Sequence, residues 1–101
     1  MNTCHNMHNG EILNNESDFS FYKVILYGDK TECAKFSKRV GCAIKHLPVK
    51  VQFFFEYNTK KAVEKGIKKS PTLLLNGNIF IEGLIQAEEI TKLFENLVVD
   101  K

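Results

Sequence analysis

KSPTLLLNGNIFIEG, residues 69–83, is the stretch whose reading decides the fold. Thr72-Leu73-Leu74-Leu75 is a short apolar run bounded by turn-forming residues, the pattern of a buried strand. Asn76-Gly77-Asn78 follows it. Asn-Gly readily takes the positive φ angles of a tight hairpin turn, so the chain is expected to fold back there. Residues 79–83, IFIEG, form the returning strand, which ends at Gly83. Pro71 has no N–H to give to a sheet, so it belongs in front of the first of these strands, paired with Ser70 in the turn that leads in.

Downstream, QAEEITKLFENL (residues 86–97) has helical spacing, with one apolar stripe at Ile90, Leu93, Phe94 and Leu97. Upstream, FYKVILYG (residues 21–28) reads as a strand ending at Gly28. Its centre, Val24 to Tyr27, is apolar without alternation, which predicts an inner strand covered on both faces. Asp29 then supplies an N-cap, with Glu32 three residues on to complete a capping box. The helix that follows carries Phe36, Val40, Ala43, Ile44 and Leu47 on one stripe. At ~100° per residue Cys33 joins that stripe, while Cys42 falls well off its centre. Gly41 weakens the helix by about 1 kcal/mol and permits a close packing contact. His46 suits the negative end of the helix dipole, and Pro48 ends the helix. VKVQFFFEY (residues 49–57) is a second strand, and a short helix capped by Asn58 or Thr59 runs through Lys65 to Gly66. The predicted order is βαβαββα. The first two strands, joined by a helical crossover, should be parallel, and the last two antiparallel.

The chain has 101 residues, enough for one core. Its 44% apolar and 26% charged residues are those of an ordinary globular domain. No run approaches the ~18 apolar residues of a membrane span. The opening residues lack the basic and apolar regions of a signal peptide, and the three cysteines form no dense framework, so a cytoplasmic protein is expected. Residues 1–19 are rich in Asn, Ser and acids and read as a flexible tail, leaving residues 20–101 as the domain. The tail contains CHNMH, whose Cys4, His5, Met7 and His8 are soft-metal donor types. No second cluster with ligand spacing follows, so no metal site is assigned and no cofactor is expected. Charge is uneven: residues 1–29 carry a net −3, residues 30–69 a net +8 and residues 70–101 a net −3. Such lysines ordinarily cover the solvent faces of helices, but they also form a basic region able to steer an acidic partner. No nucleic-acid module is present, and the aromatics look like core residues.

In element order and in the stretch that begins at Lys69, the chain resembles the small thioredoxin-like and glutaredoxin-like redox proteins of bacteria and archaea. The resemblance covers residues 22–97, and its most specific parts are Ser70-Pro71-Thr72, the Asn-Gly hairpin and Gly83. It implies an α/β thioredoxin fold with a mixed four-stranded sheet and helices on both faces. It also implies a cis bond before Pro71, and a platform at Ser70, Pro71 and Thr72 where the backbone ahead of the proline pairs with an extended substrate.

The family's active site is a Cys-x-x-Cys pair on the first turn of the first helix. Placing its second cysteine on Cys33 puts the family's apolar helix positions on Phe36, Val40, Ala43, Ile44 and Leu47. The motif then reads Lys30-Thr31-Glu32-Cys33, with Lys30 at the first cysteine. Aligning Thr31 and Ala34 with the pair instead needs a deletion and leaves no thiol. In either register the attacking thiol is missing, so dithiol oxidoreductase activity is not expected. Cys42 cannot replace it: nine residues along a helix is ~13.5 Å of rise, and a disulfide needs Cα atoms within ~7 Å. It reads as a thiol without a role.

Two functions are therefore open. One is single-thiol chemistry by Cys33, its thiolate favoured by Lys30 and the helix dipole. The other is a non-catalytic module that holds a peptide or protein, acidic partners included, on the Ser70-Pro71 platform and the lysines around it. For Cys33 itself, desolvation on the apolar stripe should outweigh the dipole, leaving the thiol buried and unreactive.

Overall fold

The computed structural model describes residues 7–99. Its strands are β1 (Ile12–Leu13), β2 (Ser20–Tyr27), β3 (Val49–Glu56), β4 (Thr72–Leu75) and β5 (Asn78–Glu82). Its helices are α1 (Lys30–Ile44), α2 (Thr59–Glu64) and α3 (Ala87–Val99). From residue 20 onward the order is the expected βαβαββα. The strands form one mixed α/β sheet in the order β1-β3-β2-β4-β5. β2 pairs parallel with β3, while β4 pairs antiparallel with both β2 and β5. Asn76 and Gly77, with φ of 50° and 89°, make the two-residue turn between β4 and β5, as their chemistry demands. The Asn76 side chain also accepts from the Lys23 N–H, which ties the turn to the central strand.

Alternation along the strands sets the layers. Val24 and Leu26 of β2, Val51 and Phe53 of β3 and Leu73 of β4 point to one face and are fully buried. That face packs against Phe36, Val40 and Ile44 of α1 and Ile90 and Phe94 of α3. Each such side chain contributes roughly 1.5–3 kcal/mol by leaving water. The two helices are also linked directly: Thr91 Oγ1 donates to the Ala43 carbonyl at 2.9 Å. The predicted cap of α1 is present in full, with Asp29 accepting from the Glu32 N–H and Glu32 from the Asp29 N–H. α1 ends at Ile44, so His46 lies in the turn beyond it rather than in the helix. Among the described residues no helix is long and apolar enough to cross a membrane.

One expectation needs correction. The sheet has five strands rather than four, because residues 7–14 are not a free tail. Ile12 and Leu13 pair antiparallel with Gln52 and Val51, and the Asn14 amide donates to the Ile44 and Leu47 carbonyls at the end of α1. Met7 is only 4% exposed and belongs to the core. Its N–H donates to buried Ser37 Oγ, and its sulfur lies 3.8 Å from where a Cβ on Gly41 would stand. A methyl group at Gly41 would make only an ordinary van der Waals contact with that sulfur, so the close packing expected of this glycine is not what seats the segment. The sequence hides this because residues 7–14 bind mainly through backbone and Asn side chains, which leave no apolar periodicity.

The helices cover the sheet unequally. α1 and α3 share one face. α2 has no buried residue, and it lines a cleft at the end of the other face beside Tyr27 and Glu56. The rest of that face leaves Phe21 49% exposed, with Lys23 set over the Phe54 ring.

Candidate functional site

The carboxyl ends of β2 and β3, the first turn of α1 and the residues ahead of β4 enclose a cleft of about 340 Å³. Tyr27, Gly28, Asp29 and Glu32 line one wall, Glu56 to Thr59 a second, and Ala62, Val63 and Ile67 to Ser70 the third. Parallel strands joined by a crossover leave their carboxyl ends free of covering backbone, the usual place for a site in an α/β sheet. Glu32 joins the walls. The carboxylate oxygen that caps α1 also accepts from the Ser70 hydroxyl. Gly28 lets these parts meet. A methyl group there would stand 3.0 Å from Glu32 Oε1, 3.1 Å from Ser70 Oγ and 3.3 Å from Pro71 Cβ.

The Ser70-Pro71 bond is cis, as the resemblance predicts. Of the platform residues, Ser70 is exposed, while Pro71 and Thr72 are buried. Thr72 spends its hydroxyl on the Lys69 carbonyl at 2.6 Å, so its side chain holds the turn rather than facing the cleft. The Ser70 main chain has no hydrogen-bond partner among the described residues.

Cys33 does not reach the cleft. Its side chain is 1% exposed, and its thiol donates to the Leu26 carbonyl at 3.5 Å. Burial, reinforced by the negative charges of Glu32 and Asp29, pushes the thiol up to about 12. Lys30 does not offset this, because its ammonium sits over the Tyr57 ring, 5.9 Å from the centroid. The expected burial of Cys33 is thus what the structure has. Burial also raises Tyr27, helped by Glu56, and Tyr57, helped by Cys33.

Three features were missed in the sequence. Tyr57 is 46% exposed and Val63 68% exposed, so the cleft carries apolar surface at its rim. Tyr57 lies just past the last residue of β3 and continues the alternation of Val51, Phe53 and Phe55, so nothing in the sequence separates it from the core aromatics. Of the lysines, Lys68 and Lys69 line the cleft and are exposed, while Lys61 pairs with Glu56, another lining residue, at 3.6 Å. The third feature is Cys42, which is disulfide-bonded rather than an idle thiol. Cys33 is free.

Of the tail's metal-donor types, Met7 is buried in the core, and the His8 N–H donates to Glu11 at 2.8 Å. Cys4 and His5 lie outside the described residues. Among the described residues no cluster of His, Cys, Asp or Glu is arranged to hold a metal ion. Comparison of the chain with protein-family models, with curated proteins and with solved structures finds no match.

Proposed function

We propose that this chain is a thioredoxin-like protein that has given up thiol chemistry at the family position and acts as a binding module for an extended peptide or protein segment. The strand order β3-β2-β4-β5, the crossover helix and the cis bond ahead of β4 support the thioredoxin-like reading. The observation that carries the functional part is the contrast within one turn: the Cys33 thiol is sealed beneath α1, while the cleft beside Ser70 is open. A thiol held near 12 has almost no thiolate at neutral pH, and only the thiolate attacks a disulfide. This argues against single-thiol exchange by Cys33. The exposed Ser70 backbone can still pair with an extended chain, and Tyr57 and Val63 offer apolar contacts to its side chains. The lysines at the rim favour an acidic segment and chiefly speed its arrival.

The test has two parts. Insulin-type disulfide reduction should be absent, or far below that of a Cys-x-x-Cys protein. An extended acidic peptide should shift the backbone amide resonances of Lys69, Ser70 and Tyr57, and Lys68→Glu with Lys69→Glu should weaken that binding. Turnover comparable to a dithiol protein, or shifts confined to residues away from the cleft, would sink the reading.

A further inference from the structure

We propose that the sheet face opposite α1 and α3 docks an amphipathic helix of a partner protein, one whose polar side is acidic. The surface is separate from the cleft and does not depend on the function proposed there. Strand register places its residues. Ile25 of β2 stands beside Phe54 of β3 on one side and Leu74 of β4 on the other, and Leu74 stands beside Ile79 of β5. Cross-strand partners share a face, so these four side chains form one apolar row across four strands. Phe21 lies on the same face of β2 by alternation, and Ile12 joins it through its pairing with Gln52 of β3.

A sheet face turned to water ordinarily alternates apolar and polar residues along each strand. The centres of β2 and β3 do not: Ile25 follows Val24, and Phe54 follows Phe53, as in strands covered on both sides. The chain supplies the second cover at one end only, where α2 lines the cleft beside Tyr27 and Glu56. Away from that end Ile12, Phe21 and Ile79 are exposed, while Ile25 and Phe54 are half-buried. A connected apolar surface of this kind marks a place of contact.

The form of the occupant follows from what a face offers. The main-chain groups of paired strands lie in the plane of the sheet, so the face presents side chains and no free backbone to bond an added strand. A helix instead buries an apolar stripe against such a face, and completes the layer that α2 leaves short. Charge selects its polar side. Lys50 pairs with Phe21 across β2 and β3, and Lys23 stands two residues along from it. Neither lysine has an ion-pair partner among the described residues. The acids of this face, Glu56 and Glu82, stand at the α2 end, level with Tyr27 and Thr72, and Glu56 is already held by Lys61. The ammonium of Lys23 rests over the Phe54 ring, 5.2 Å from its centroid. A carboxylate on the incoming helix draws that ammonium aside and frees the ring for apolar contact.

The test uses the full chain and a synthetic peptide of about five helical turns, with leucine on one stripe and glutamate elsewhere. The peptide should shift the amide resonances of Phe21, Lys23, Phe54 and Ile79 and leave those of Tyr57, Lys69 and Ser70 in place. The same peptide with lysine for glutamate should bind at least roughly tenfold more weakly at low salt. Phe21→Ser, at an exposed position, should weaken binding of the glutamate peptide by roughly tenfold. Lys23→Glu combined with Lys50→Glu should reverse the preference between the two peptides, an outcome that loss of folding cannot produce. Equal binding of both peptides, no shift at Phe21, or shifts centred on the cleft would each overturn the inference. So would binding to phosphatidylserine vesicles in place of the glutamate peptide, or a concentration-dependent dimer that buries Phe21.

Discussion

Cys33 and Cys42 sit nine residues apart on one helix, and their surroundings give them opposite chemistry. Cys33 lies on the stripe that faces the sheet, where burial and two nearby carboxylates hold the proton on sulfur. Cys42 lies off that stripe, half-buried, and is bonded. Position in a motif would point to the first, since it stands at the start of a helix where a dipole lowers thiol pKa. The structure teaches that the dipole is the weaker influence there. Its effect fades within the first turn, and Lys30, the one cation placed to help, turns to Tyr57 instead.

Variants of the two ends of α1 can break this comparison. The largest effect should come from the Cys42 end: Met7→Ala removes a buried side chain from beside Gly41 and should cost about 2–5 kcal/mol in denaturant unfolding. A cost near zero would mean that the N-terminal segment is not part of the core. At the other end, Cys33→Ser places a hydroxyl among apolar atoms, with only the Leu26 carbonyl in reach. It should lower stability by roughly 1–3 kcal/mol, and an unchanged midpoint would contradict the burial.

Asp29→Ala should cost about 1 kcal/mol by removing the cap. Because Glu32 serves both the cap and Ser70, it should also shift the resonances of Ser70, and a change confined to α1 would show that the two are uncoupled.

The smallest effect is pH-dependent. The Cys33 thiol is raised from 9.0 to about 12, so the folded chain keeps a proton that the unfolded chain loses. The stabilisation is complete below pH 9 and lost as pH rises toward 12. By about pH 10 the loss should be near 1 kcal/mol. Cys33→Ala should remove this slope between pH 8 and 10, and a slope that persists in the variant would have to be assigned to another group.

Much of the fold was legible because residues 20–97 state it redundantly. Asp29 and Glu32 announce the start of α1, Asn76-Gly77 announces the hairpin, and the stripes of both long helices face the buried side of the sheet. The first nineteen residues carry no such agreement. Met7 is a single apolar residue in a polar stretch, and β1 is too short to show alternation, so their role depends on a groove that only tertiary packing creates. The candidate site was legible in part. Of Cys33, Lys30, Ser70 and Pro71 only Ser70 lines the cleft, and the rest of its surface comes from residues such as Tyr57, Val63 and Lys68, which no motif marks. Open space around them is decided by which side chains point away, and α2, with no buried residue, leaves no pattern to read.

The central claim is that Cys33 is sealed from its surroundings. It is tested most directly by alkylating the native chain with iodoacetamide near neutral pH and locating the label by mass. Cys33 should stay unlabelled over a time in which the denatured chain is fully modified at that position. Rapid labelling of Cys33 in the native state would contradict the account and return single-thiol chemistry to the first turn of α1.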